Sequence, residues 1–191
     1  MSAWPEELLP HMDTLIEVGE DLWTAGLVAT HGGNLSVRWR QGALVTETGA
    51  MLGRLSHDHF VAVDSRGRPM NHGPSDRPSS DTAIHLATYA RVAEAGAVVH
   101  AHPPYAVALS LDWDAITPPN LEGQLFLRRV PVIDVKWETS AEPIAEALAT
   151  QPLVVTRAHG VYARGATPWD ALKLVSILEE SATILTLAGR G

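Results

Sequence analysis

The chain has 191 residues, of which 46% are hydrophobic, so it can bury a proper core and we expect one domain over residues 1–191. Its 14 basic and 22 acidic side chains give a net charge of −8, which argues against nucleic-acid binding and a basic membrane-docking surface. It has no cysteine, which excludes disulfides, thiolate metal sites and a cysteine nucleophile. A metal site must therefore use carboxylates and the nine histidines, which suit zinc or another divalent first-row ion.

The start of the chain carries acidic residues where a signal peptide would have a basic start and an unbroken apolar run. No stretch approaches the roughly 18 consecutive apolar residues of a membrane-spanning helix. We therefore expect a cytoplasmic protein that does not bind membranes.

The first half of the chain alternates between helical and strand patterns. Apolar residues recur at helical spacing in the opening segment, and short alternating runs follow it. Ser79 or Ser80 is the natural N-cap of a second helix. The predicted elements are a helix from Pro5 to about Val28 that stops at Gly26, strands over residues 35–39, 43–46 and 60–63, a loop over 71–80, and a helix over 81–95.

The second half continues this mixture. Thr139 and Glu142 have capping-box spacing, and Thr167 followed by Pro168 is a strong helix start. The predicted elements are strands over residues 98–102, 130–135 and 153–156, an irregular segment over 112–122, and helices over 139–149 and 168–187. Several strands are joined too tightly for parallel crossovers, so we predict a layered α/β or α+β domain with a largely antiparallel sheet.

Three histidines follow or end buried strands. His100 and His102 are two residues apart in one predicted strand, so their side chains leave the same face. Such a pair alone is equally typical of a polar strand end. His159 also follows an apolar strand, and together the three could hold a tetrahedral zinc ion whose fourth position is open. For His11, His57, His59, His72 and His85 we expect only surface or local hydrogen bonding.

Ser79, Ser80 and Asp81 stand at the predicted start of the second helix. Backbone N–H groups and two hydroxyls at a helix start can bind an anion without a basic patch. Serines before an acid are, however, most often ordinary helix caps. Asp81 is either a first-turn acid that complements the helix dipole or a carboxylate poised for proton transfer.

Two glycine-containing turns, residues 30–36 and 46–49, also carry hydroxyl and amide groups that could bind an oxyanion. Neither matches a P-loop or a dinucleotide-binding fingerprint. An ordinary hairpin turn is the alternative interpretation of the first.

Five motifs in this order make the chain resemble the class II aldolase/adducin family, over roughly residues 5 to 188. None of them is specific alone, whereas their order and separations together are. The motifs are Gly33–Arg38, Thr48–Gly49, Pro78–Asp81, His100–Pro103 and His159–Gly160.

The resemblance implies a three-layer α/β/α fold with a central, mostly antiparallel sheet, and a homotetramer with active sites at subunit interfaces. It implies that His100, His102 and His159 ligate zinc. Asp81 falls where the family has a catalytic glutamate, and the aspartate is shorter by about 1.5 Å. The residues implied to bind the substrate phosphate are Asn34, Thr48, Gly49, Ser79 and Ser80.

The implied function is a zinc-dependent aldolase that cleaves a short ketose phosphate to dihydroxyacetone phosphate and an aldehyde through a metal-stabilised enediolate, with Asp81 moving the proton. Within the family, the alternatives are a dehydratase resembling methylthioribulose-1-phosphate dehydratase, a decarboxylase and a 4-epimerase. Outside enzymes, they are a non-catalytic adducin-like binding module and a plain metal-binding or sensor domain. The intact set of three histidines favours the enzyme.

Overall fold

An eight-stranded sheet with helices on both faces organises the chain in the computed structural model, which describes residues 4–70 and 72–189. The strands are β1 (Asn34–Trp39), β2 (Gly42–Thr46), β3 (Phe60–Val63), β4 (Ala97–Ala101), β5 (Ala115–Ile116), β6 (Val130–Ile133), β7 (Leu153–Thr156) and β8 (Gly160–Gly165). The α-helices are α1 (Leu9–Thr24), α2 (Thr82–Arg91), α3 (Pro104–Ser110), α4 (Leu121–Phe126), α5 (Ala141–Thr150) and α6 (Pro168–Leu187). No helix among the described residues is long and apolar enough to cross a membrane.

The strand order is β3-β2-β1-β4-β8-β7-β6-β5. Every neighbouring pair is antiparallel except β6 and β7, which are parallel. Helices α1, α3 and α6 pack on one face of the sheet, and α2 and α5 pack against each other on the opposite face. The predicted three-layer fold with a mostly antiparallel sheet is confirmed.

Side-chain alternation decides which residues face each helical layer. In β1, Leu35 and Val37 belong to the large core shared with α1 and α6, so Asn34 and Ser36 face α2. The same alternation places Val99 in the large core and His100 on the α2 face. The polar side chains of the central strands therefore share one face.

Those polar side chains form a row across three strands. The Cα atom of Asn34 in β1 is paired with that of His100 in β4, and His100 is paired with Tyr162 in β8. Asp81 immediately precedes α2 and lies against this row, because its carboxylate accepts hydrogen bonds from both Asn34 and Tyr162. The antiparallel register thus brings residues far apart in sequence to one point.

Most predicted helices and strands are present, with ends shifted by a few residues, but several predictions need correction. Strand β8 and helix α3 were not predicted, and the segment predicted as irregular contains β5 and the start of α4. Thr139 lies in a 3-10 turn, so the predicted capping box is not formed and Ser140 is the N-cap of α5. The N-cap of α2 is Asp81 and not the predicted Ser79 or Ser80, and the Ser79 hydroxyl accepts the N–H of Asp81 at 3.2 Å.

Helix α3 follows the histidine strand directly, and a side chain from α6 holds its start. The Glu179 carboxylate accepts the backbone N–H groups of Tyr105 and Ala106, both at 2.9 Å. These donors have no partner within their own helix, so the carboxylate replaces the missing side-chain cap. This contact fixes the chain just beyond His102.

We expect Glu179→Ala to lower the free energy of unfolding by about 1–2 kcal/mol, because two N–H groups at the start of α3 lose their acceptor. Urea denaturation measures the change. Glu180→Ala removes the exposed neighbouring carboxylate on α6 and is the matched control, with an expected effect below about 0.5 kcal/mol. Equal effects of the two substitutions would contradict this role of Glu179.

Candidate metal centre and active site

The three predicted histidines converge at the ends of β4 and β8. His100 Nε2 lies 2.9 Å from His102 Nε2 and 3.2 Å from His159 Nε2. One nitrogen from each ring falls within 4.8 Å of the others. A tetrahedral zinc ion with Zn–N distances of 2.0–2.1 Å separates its ligand nitrogens by about 3.3 Å, so the three imidazoles fit such an ion.

The protonation of His100 also suits a metal ligand. Its Nδ1 donates to the carbonyl oxygen of Val161 at 2.9 Å, which leaves the Nε2 lone pair directed at the other two histidines. Burial lowers the pKa of His100 to about 3 and also lowers that of His102. His100 is therefore neutral at physiological pH, the state a divalent metal requires.

Glycines make room for the imidazole rings. A Cβ atom on Gly160 would lie 2.5 Å from His102 Cδ2 and 3.0 Å from His100 Cε1. A Cβ atom on Gly32 would lie 2.7 Å from His102 Nδ1. Distances this short leave no room for a side chain on either glycine, so the packing of the rings requires glycine at both positions.

His159 is held in the tight turn between β7 and β8. The preceding residue, Ala158, has a positive φ of 58°, a left-handed conformation that costs an alanine energy. Its N–H donates to the Ser110 hydroxyl at 3.0 Å. The Arg157 guanidinium donates to backbone carbonyls at the end of α3 and just beyond it, and pairs with two aspartates. These contacts fix the turn that presents His159.

Asp81 lies beside the three histidines and is only 2% exposed. Its Oδ2 accepts from Asn34 Nδ2 and from the Tyr162 hydroxyl, both at 2.8 Å, and lies 3.7 Å from His100 Nε2. Burial raises the pKa of Asp81, but His100, the Asn34 hydrogen bond, His85 and Tyr162 outweigh it, so the pKa lies below its usual value. Its Oδ1 is buried without a hydrogen-bond partner in the described residues.

Two residues of this network were not predicted as functional. Tyr162 stacks on His100 with ring centroids 4.1 Å apart, and burial raises the pKa of its hydroxyl, which stays protonated and donates to Asp81. The prediction of only surface or local bonding is wrong for His85, because it is fully buried and bonds Asn34, 51 residues away. Neither residue has a local sequence signal, because Tyr162 lies in β8, which was not predicted, and the partner of His85 is distant in the sequence.

A cavity of about 190 Å³ adjoins the histidines, and its lining includes all the residues predicted to bind the substrate phosphate. Its lining includes Ser79, Ser80, Thr48 and Gly49 as well as the three histidines, and Trp137 lies beside His159. The backbone N–H groups of Asp81 and Thr82, at the start of α2, already donate to Ser79. The serine hydroxyls are therefore better candidates for anion binding than these two N–H groups. The remaining lining residues are His31, Gly32, Gly33, Asn34, Glu47 and Asp81.

Asn34 also lines this cavity, but its side-chain amide has other partners. The amide oxygen bonds His85 Nε2 at 2.7 Å, and the amide nitrogen donates to Asp81. Asn34 therefore contacts the carboxylate directly, in addition to any contact its second amide hydrogen makes in the cavity.

Similarity to known proteins places the chain in a family. Residues 13–186 match the family described as Class II Aldolase and Adducin N-terminal domain. The chain is 32% identical to 3-oxo-tetronate 4-phosphate decarboxylase of Haemophilus influenzae, covering 95% of this chain and 90% of that protein. It is 34% identical to methylthioribulose-1-phosphate dehydratase of Acidiphilium cryptum, covering 79% and 78%.

A solved structure supports the same family assignment. The l-fuculose-1-phosphate aldolase from Thermus thermophilus superposes with a TM-score of 0.85 at 35% identity, covering 93% of both chains. The chain belongs to the class II aldolase and adducin family. Its relatives are enzymes with different reactions, namely an aldolase, a dehydratase and a decarboxylase, so the family alone leaves the reaction open.

We expect the purified protein, without an affinity tag, to bind about one divalent ion per chain. His100→Ala should lower zinc affinity by at least about 100-fold, because it removes a ligand and not merely an outer partner. Mass spectrometry of metal content and competition with a chelator measure both. His11→Ala, on the exposed face of α1, is the control and should bind zinc like the wild type. Unchanged zinc binding by His100→Ala would contradict the assigned centre.

Proposed function

We propose that this protein is a zinc-dependent lyase that cleaves a short ketose phosphate to dihydroxyacetone phosphate and an aldehyde. The observation that carries this proposal is the buried carboxylate of Asp81, whose Oδ1 has no hydrogen-bond partner among the described residues and which lies beside three converging imidazole nitrogens. A binding module has no need for such a costly arrangement.

In this proposal, the phosphate of the substrate occupies the cavity wall formed by Thr48, Gly49, Ser79 and Ser80. These residues offer hydroxyls and backbone groups, and no lysine or arginine lines the described cavity. A single phosphate ester can be bound by such donors, whereas a polyanion would be repelled by the charge of −8.

His100, His102 and His159 would hold the zinc ion. When bound, a divalent ion supplies Lewis-acid stabilisation of the negative charge that develops on the substrate oxygens as the carbon–carbon bond breaks. His100 donates to Val161, and the turn before His159 is fixed by Ser110, so both ligands are oriented in advance.

Asp81 would carry the proton. Its Oδ2 is occupied by Asn34 and Tyr162, which leaves Oδ1 to exchange a proton with the carbon that acts as nucleophile in the condensation direction. Because the chain has an aspartate where the family has a glutamate, Oδ1 reaches about 1.5 Å less far. The substrate carbon must therefore approach the base of the cavity closely.

Decarboxylation is the second candidate. It is supported by the 32% identity with 3-oxo-tetronate 4-phosphate decarboxylase, which extends over 95% of this chain. Loss of carbon dioxide leaves a carbanion next to a carbonyl, as aldol cleavage does, so the same metal ligands and the same proton donor would serve.

We expect Asp81→Asn to lower kcat by about 10²–10⁴-fold, because the amide keeps the shape of the side chain and cannot accept the proton. The assay incubates zinc-loaded protein with dihydroxyacetone phosphate and a panel of aldehydes, and tests ketose phosphates for decarboxylation and dehydration in parallel. Hydrogen–deuterium exchange of the substrate C–H group isolates the proton transfer.

Asp76→Asn, in the exposed loop before Ser79, is the matched control and should keep wild-type turnover. Equal activity of Asp81→Asn and the wild type would disprove the role of Asp81. Zinc binding without turnover of any of these substrates would overturn the proposed enzyme and favour a binding or sensor domain.

We also propose a homotetramer with active sites at subunit interfaces, as the family resemblance implies. Helix α4 exposes Leu121, Leu125 and Phe126 by 73%, 65% and 44%, an apolar surface that a partner subunit would cover. Light scattering should give four times the chain mass of 20.5 kDa. Leu125→Glu should lower this mass, and a monomeric wild type would contradict the proposal.

A further inference from the structure

A chain of hydrogen bonds runs beneath α2 and ends on the carboxylate of Asp81. The Tyr89 hydroxyl lies 2.7 Å from Ser36 Oγ, which lies 2.6 Å from His85 Nδ1. His85 Nε2 lies 2.7 Å from Asn34 Oδ1, and Asn34 Nδ2 lies 2.8 Å from Asp81 Oδ2. All five residues are buried. We call this set the Asp81 relay.

The charge on Asp81 sets the direction of every bond in the relay. An ionised carboxylate only accepts, so Asn34 must turn its NH₂ group toward Asp81 and its oxygen toward His85. His85 must then carry its proton on Nε2 and accept on Nδ1, where Ser36 donates. The Ser36 oxygen accepts in turn from the Tyr89 hydroxyl. One arrangement of protons satisfies all four contacts.

His85 does not belong to the lining of the cavity, although Asn34 and Asp81 do. It contacts the carboxylate only through Asn34. We propose that His85 is a positioning residue, whose Nε2 proton fixes the Asn34 amide and thereby holds the Asp81 carboxylate with Oδ1 left for the substrate. This inference rests on the proposed role of Asp81 in proton transfer.

The Asp81 carboxylate needs such positioning because its last side-chain torsion is not fixed by the side chain itself. The last torsion of an aspartate is broad, so the two carboxylate oxygens exchange positions easily unless neighbours hold them. Asn34 and Tyr162 both bind Oδ2, from opposite sides of the His100 strand. If the Asn34 amide were reversed, its oxygen would face Oδ2 and repel it, which would release the carboxylate.

The surroundings keep His85 neutral. Its imidazole is fully buried, and this burial lowers the pKa of His85 to about 4 despite the attraction of the Asp81 charge. A doubly protonated ring would have no acceptor for the Ser36 hydroxyl. The relay therefore keeps a single arrangement near neutral pH.

We test the relay first by kinetics, with His85→Leu and His85→Gln. Leucine removes the donor to Asn34, so kcat should fall about 10- to 100-fold while KM and zinc content stay within about two-fold of the wild type. Glutamine returns an N–H donor near the position of Nε2 and should restore kcat to within about five-fold. Leu185→Ala, a core substitution in α6, measures how far lowered stability alone affects kcat.

A rise in KM or a fall in zinc affinity as large as the fall in kcat, without rescue by glutamine, would show a merely structural role and overturn the proposal. The proposal would also be overturned if Leu185→Ala, at the same stability as His85→Leu, lost as much kcat as His85→Leu does.

The second test does not depend on turnover. Nitrogen-15 NMR of histidine-labelled wild-type protein should show His85, assigned by its absence in His85→Gln, as the neutral tautomer protonated on Nε2. An Nδ1–H tautomer or an imidazolium near neutral pH would overturn the relay. If the Nε2–H tautomer is found and no substrate is turned over, the relay stands and the proposed function fails, so the two failures are distinguishable.

Discussion

The site depends on keeping an ionised carboxylate away from water. A buried charge is tolerated only when hydrogen bonds replace its hydration, and Asp81 obtains them from Asn34 and Tyr162 on two different strands. His100 lies on the strand between them and supplies the central nitrogen of the candidate metal centre. The Asp81 carboxylate and His100 are therefore held by the same three strands of the sheet.

Strand register is what makes this possible. The polar row on β1, β4 and β8 exists because Leu35, Val99 and Val161 fill the large core on the opposite face of the sheet. A slip of one residue in any of these strands would bury the polar row in that core, so hydrophobic packing fixes the positions of the functional side chains. The same hydrophobic packing therefore determines both the stability of the sheet and the geometry of the site.

Residue spacing predicted part of the site. His100 and His102 share a strand face, and the helix start after Ser79 is local, so both could be found from neighbours in sequence. Tyr162 and His85 could not, because their partners lie 81 and 51 residues away and depend on strand pairings that the sequence pattern does not specify. For the same reason β8, which runs on from the His159 turn, was missed although the three-layer fold was predicted.

The most direct test of the proposed site is a crystal structure of the zinc-loaded protein with dihydroxyacetone phosphate, using anomalous diffraction at the zinc edge. We expect one anomalous peak about 2.0–2.1 Å from the Nε2 atoms of His100, His102 and His159, with the phosphate against Ser79 and Ser80. We also expect Asp81 Oδ1, not Oδ2, to face the bound substrate. A peak at another site, or a carboxylate turned away from the substrate, would contradict the proposed site.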